Sequence, residues 1–186
     1  DLFVDNIKHQ SSQGSGTITL GASGETVALA SGASQTMAVN TPAFMVGLSG
    51  NQGSITAASF AKVTFDSEDV DTDNAFASNK FTVPSGKAGK YFIGLEVQMN
   101  AESGAGTAQV GSARIYKNGS AAINGGVVDF RNTNGQKFSA NVSAIMDLSV
   151  GDYLEGYAEL HTSSGDVTFV ASSRSTKFFG YKLIGA

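Results

Sequence analysis

The densest run of ligand-type side chains in the chain is Asp66, Glu68, Asp69, Asp71 and Asp73. Asp69, Asp71 and Asp73 alternate as the first oxygen ligands of a calcium-binding loop do. Two positions break that pattern: Asn74 stands where the loop needs a glycine, and Lys80 stands twelfth, where a bidentate glutamate should close the shell. Two readings remain. One is an acidic surface loop between strands. The other is a looser calcium site at Asp69, Asp71 and Asp73, completed by backbone carbonyls or a neighbouring subunit. No other cofactor is expected.

Covalent chemistry has little to work with. There is no cysteine, and the only histidines are His9 and His161. None of the scattered serines and threonines stands in a motif that pairs a nucleophile with a base. His161 sits at an expected strand end beside Thr162 and Ser163, which favours an exposed or hydrogen-bonded imidazole. Gly104-Ala105-Gly106 lacks both the Lys-Ser/Thr ending and the following helix of a phosphate-cradling loop, so it reads as a loop between antiparallel strands. These features point away from an enzyme.

Charge and composition narrow the field further. A net charge of -4 without a basic cluster gives no footprint for a nucleic-acid backbone. No apolar run approaches the ~20 residues of a membrane-spanning helix, and the first residues do not follow the basic-then-apolar plan of a secretion signal. Membrane insertion is not expected. The lack of cysteine permits assembly in a reducing cytoplasm. With 23 Gly, 2 Pro and many Ser, Thr, Ala and Asn, the chain has the composition of short strands joined by turns.

Strand signals recur every 8–15 residues over the C-terminal three quarters of the chain. They predict about ten strands, at 43–48, 55–64, 80–83, 90–99, 108–117, 121–131, 137–148, 153–161, 167–172 and 177–184, with no long helix. Tyr91, Ile93, Leu95, Val97 and Met99 alternate onto one face, as do Val142, Ala144, Met146 and Leu148. Lys117-Asn118-Gly119 carries the Asn-Gly signal of a tight hairpin, and Gly151-Asp152 marks another turn. Two packed layers of such strands make an antiparallel β-sandwich.

Residues 14–41 differ in kind. They are almost free of charge and aromatics, and the pairs Ile18/Leu20, Val27/Leu29 and Met37/Val39 each place two apolar residues on one strand face between Gly/Ser/Ala turns. Such a segment cannot fold alone. It is either a short β-stalk whose apolar faces, Ile18, Leu20, Val27 and Leu29 among them, meet around a threefold axis, or a Gly/Ser/Ala linker. Residues 1–13 hold an apolar patch at Leu2, Phe3, Val4 and Ile7, which reads as a docking peptide or as the first strand of the stalk. The expected division is therefore an attachment segment at 1–13, a stalk or linker at 14–41 and a head at 42–186.

The head carries a longer pattern. In order it shows Phe65-Asp66, Phe76, Lys80-Phe81-Thr82-Val83-Pro84, Gly89-Lys90-Tyr91-Phe92, Lys117-Asn118-Gly119, Leu148, Gly151-Asp152 and Phe178-Phe179-Gly180-Tyr181-Lys182-Leu183-Ile184. This order resembles the globular head of the complement first-component recognition subunit and the tumour necrosis factor superfamily. The resemblance implies an all-β jelly roll that assembles as a homotrimer and binds rather than catalyses. It also implies that the last strand faces the trimer interior, which would give Phe178, Tyr181 and Leu183 to subunit packing.

A thin N-terminal segment joined to such a head resembles the fibre or appendage proteins of tailed bacteriophages. That layout implies a virion protein assembled in the host cytoplasm: a trimeric tail fibre or spike, anchored to other virion proteins by its N-terminus. The head would meet a host-surface glycan or protein through the loops at 66–79, 101–110 and 132–137. A capsid decoration fibre is the alternative within that class. A bacterial surface adhesin or carbohydrate-binding lectin, at the cell surface or outside the cell, is the alternative from another.

Overall fold

The computed structural model describes residues 41–102, 106–129, 131 and 137–184. Fourteen strands form within them, with one 3-10 turn at Ser172–Arg174 as the only helical element among the described residues. In one sheet the long strand β7 (Gly89–Ala101) is central. It pairs along one side with β11 (Lys137–Leu148), and along the other with β14 (Lys177–Lys182) and then β13 (Val167–Phe169). Beyond these lie β1 (Ala43–Gly47) on β14, β2 (Gln52–Ile55) on β13, and β4 (Ser67–Asp71) at the margin on β1.

The second sheet is built on β8 (Ala108–Lys117) and β12 (Tyr153–Thr162). Outside β8 run β9 (Ser120–Asn124) and β10 (Val128–Asp129). Outside β12 run β3 (Ala61–Lys62) and β6 (Lys80–Thr82), which in turn pairs with β5 (Phe76–Ala77). All pairings are antiparallel, giving the expected jelly-roll sandwich.

The alternation read in β7 is what closes the core. Tyr91, Ile93, Leu95, Val97 and Met99 all point between the sheets and are at most 1% exposed. Across from them lie Ala113, Ile115, Leu154, Ala158 and Leu160 of the second sheet, all buried. At one end five phenylalanines fill the space: Phe44 stacks on Phe81 at 4.4 Å, and Phe178 lies 5.2 Å from Phe44 and 5.7 Å from Phe65, with Phe76 alongside. A cluster of aromatic rings in contact buries much apolar area and adds edge-and-face attraction to it.

Departures from the expected strands have local causes. The segment expected as one strand at 55–64 is two, because Ala58 adopts φ 57° and turns the chain between β2 and β3. The expected strand at 121–131 breaks at Gly125, whose N–H turns to donate to the Ala113 carbonyl at 2.8 Å. The acidic run expected as a loop is largely the marginal strand β4. The hairpin at Asn118-Gly119 forms as read, with φ of 52° and 79°.

The neighbouring turn at Gly151-Asp152 is held by charge. Asp152 accepts from the Asn118 side chain and from the Ser149 N–H, both at 2.8 Å, and pairs with Lys117 at 2.7 Å. Lys117 and Asn118, followed by the Ser149 amide, pull its carboxyl from 3.8 down to about 2. A depressed folded-state value stabilises above the unfolded value and loses that contribution as pH falls through the folded one. Denaturant titrations should therefore show Asp152→Asn weaker than the native protein at pH 7, with the two converging between pH 4 and pH 2. An unchanged gap at pH 2 would refute this assignment.

Candidate functional site

The carboxylates singled out in the sequence do not meet. Four of the five, on and around β4, are engaged separately. Asp69 pairs with Arg174 through its Oδ1, while Asp71 accepts from the N–H groups of Ala75 and Phe76, both at 2.9 Å. Asp73 accepts from the Thr72 hydroxyl at 2.8 Å and lies 3.4 Å from Lys87, and Asp66 caps Ser49. Asp69, Asp71 and Asp73, the residues of the looser calcium reading, thus each have a different partner within the chain. Among the described residues no three acid or histidine groups converge. His161 is 39% exposed on its side chain, with Glu159 at 3.5 Å.

What the fold does assemble is an apolar surface on the outer face of the first sheet. Strand register generates it. Ile145, Phe92, Tyr181 and Ala43 lie side by side across β11, β7, β14 and β1, and the next row is Ser143, Gly94, Phe179, Met45 and Val70. Gly94 is required there, because a Cβ on it would fall 2.4 Å from Cζ of Phe179, whose ring lies flat across that position. Phe92 is 5.6 Å from Tyr181 and 6.3 Å from Phe179. Ion pairs rim the patch, Glu96 with Lys177 on one side and Lys90 with Asp147 on the other. Val70, Tyr181 and Ile145 are 42%, 40% and 64% exposed, far more than a core residue.

A second exposed apolar strip runs along one side of the sandwich. Val127 and Val128 border the second sheet at β10. The link before β10 passes beside β11, where a Cβ on Gly125 would come within 2.8 Å of the Asn141 carbonyl oxygen.

The last strand is where the sequence expectation needs revision. Phe178 is 0% exposed and points into the sandwich, so it packs its own subunit's core and cannot touch a neighbour. The outward residues are Phe179 and Tyr181, one step out of phase with it. Leu183 follows the strand, half-buried, with its N–H donating to the Lys90 carbonyl at 2.8 Å. Met45 and Phe92 join Phe179 and Tyr181 on this face; the sequence signal for Phe92 is an aromatic at the polar phase of β7. Ile18, Leu20, Val27 and Leu29 and the attachment patch at Leu2, Phe3, Val4 and Ile7 lie outside the described residues, as do His9 and parts of the loops at 101–110 and 132–137.

The architecture is the jelly roll of the complement C1q and tumour necrosis factor type. Among solved structures it is similar to the globular domain of zebrafish complement 1qA protein, with 14% identity over 77% of this chain and 98% of that one and a TM-score of 0.50. It is likewise similar to the Eiger TNF of S. frugiperda, with 12% identity, 77% and 93% coverage and a TM-score of 0.56. Murine APRIL matches with 10% identity, 76% and 98% coverage and a TM-score of 0.52. No protein-family model matches the chain, and no curated protein matches it. At such identities the likeness is one of fold.

Proposed function

We propose that the chain is a homotrimeric binding module, and that it serves as a fibre or spike of a tailed-phage particle with the head turned toward the host surface. The observation that carries the assembly reading is the aromatic face of half-buried Phe92 and Phe179 and exposed Tyr181, on a domain that has already filled its own core. Val127 and Val128 lie by β10 of the other sheet, so a contact between them and that face would be head-to-tail. Head-to-tail contacts close into rings when the rotation allows, and the C1q/TNF-like fold supports a ring of three. No catalytic step enters this reading.

The particle role rests on the layout of the sequence: the apolar patch at Leu2, Phe3, Val4 and Ile7, the thin uncharged segment over 14–41, then the head. Light scattering at micromolar concentration should give three times the mass of one chain. Deleting residues 1–8 should leave a soluble trimer that no longer enters particles, read by mass spectrometry of purified virions. A stable monomer would overturn the assembly, and a truncated chain that still enters particles would overturn the polarity.

A further inference from the structure

The outer face of the second sheet, away from the apolar patch, carries a different chemistry. On β12 and β8 the outward positions include Tyr153, Tyr157, Tyr116 and Arg114, brought together because Arg114 pairs with Tyr157 and Tyr116 with Glu155; the two carboxylates of the same face, Glu155 and Glu159, are taken up by Lys62 and His161. Tyr116 and Tyr157 stack with centroids 4.0 Å apart. The Arg114 guanidinium lies over the Phe60 ring at 3.7 Å, and Lys80 over the Tyr153 ring at 4.5 Å. The result is a half-buried strip of four aromatic rings with a cation at either end.

Arg114 is the anomaly in it. Eight ion pairs occupy other charged groups, yet no carboxylate pairs with Arg114 among the described residues. Its Nε is buried without a hydrogen-bond acceptor, so a ligand would meet the terminal amino groups of the guanidinium. A buried donor left unmade is costly, and a guanidinium is a fork that fits a carboxylate through two parallel bonds. In a chain of net charge -4, one unpaired guanidinium held rigid on an aromatic ring is a local site for an anion.

The ring faces select the rest of the ligand. A stacked tyrosine pair offers a flat negative face to weakly positive C–H groups, and phenol hydroxyls at its rim for hydrogen bonds. A pyranose supplies both, with axial C–H bonds on one face and hydroxyls around the edge. Extended polyanions are disfavoured by the acidic chain as a whole. We infer that this face binds a carboxylated saccharide, its ring stacked on Tyr116 and Tyr157 and its carboxylate held by Arg114. The inference rests on the reading of the head as a recognition module, and it places recognition on a sheet face instead of on the loops.

The test is calorimetry of the full chain with trigalacturonic acid and with 3′-sialyllactose, each beside its neutral counterpart, trigalactose or lactose. At least one acidic sugar should bind, with the neutral counterpart at least tenfold weaker. Arg114→Gln should remove that preference, and Tyr157→Ala should abolish binding of both forms. If the glutamine variant does not fold, Arg114→Lys keeps the charge but loses the fork, and should still weaken the acidic sugar at least threefold. Failure of both acidic sugars to bind, equal binding of neutral and acidic forms, or a preference that survives at Arg114 would each overturn the inference. Light scattering on the same samples separates the two readings: a trimer that binds no sugar sinks this one alone, and a sugar-binding monomer sinks the trimer alone.

Discussion

Replacing Phe179 with aspartate is expected to convert the assembly into monomers without unfolding the head. Phe179 lies across Gly94 on the outer face of the first sheet, so its own subunit's core does not depend on it. In the proposed trimer it would be covered by the next copy, and an aspartate there would become a buried charge with no partner. That penalty is about 3 kcal/mol or more per copy, and three copies together raise the dissociation constant by roughly a millionfold. Light scattering should report one chain mass at micromolar concentration, with an unchanged β-sheet circular dichroism spectrum. Tyr181→Asp should behave the same way, since Tyr181 stands beside Phe92 in the adjacent row. A variant that remains trimeric would show that this face is not the interface.

The adjacent position should give the opposite result. Phe178→Ala removes a ring with no exposure, packed 5.2 Å from Phe44 and 5.7 Å from Phe65. Emptying such a site costs about 3–5 kcal/mol, through lost burial and the cavity left by incomplete collapse. Thermal unfolding should fall on the order of 10 °C. Below that transition the protein should keep its oligomeric state, because Phe178 contributes nothing to the outer face. The pair of variants therefore separates core from interface within two consecutive residues. A Phe178→Ala protein of native stability would mean that the packing assigned to Phe178 is wrong.

That one-residue distinction also marks where sequence reading stopped. The apolar phase of β7 is plain in the sequence, because Tyr91, Ile93, Leu95, Val97 and Met99 keep one face wholly apolar while the other carries Gly94, Glu96 and Gln98 beside Phe92. The Asn118-Gly119 turn was equally plain, since its backbone angles are ones few residues adopt. The two-layer fold and its resemblance to the complement and tumour necrosis factor heads followed from the order of such local signals.

Other features depend on which strands become neighbours. Phe178-Phe179 is aromatic on both faces, so alternation alone could not say which ring points inward; pairing of Phe179 with Gly94 and Met45 decides it. The acids at 69, 71 and 73 have the spacing of a ligand set. Their partners, Arg174, the amides of Ala75 and Phe76, and Lys87, all come from later chain, from the next turn to a segment near the C-terminus. The strip around Arg114 joins residues from β8, β12 and the segment preceding β3, which are far apart in sequence. Local rules govern how a strand alternates and where it turns, because those depend on one residue and its immediate neighbours. Surfaces and charge partners depend on register between distant strands, and only the closed sandwich sets that.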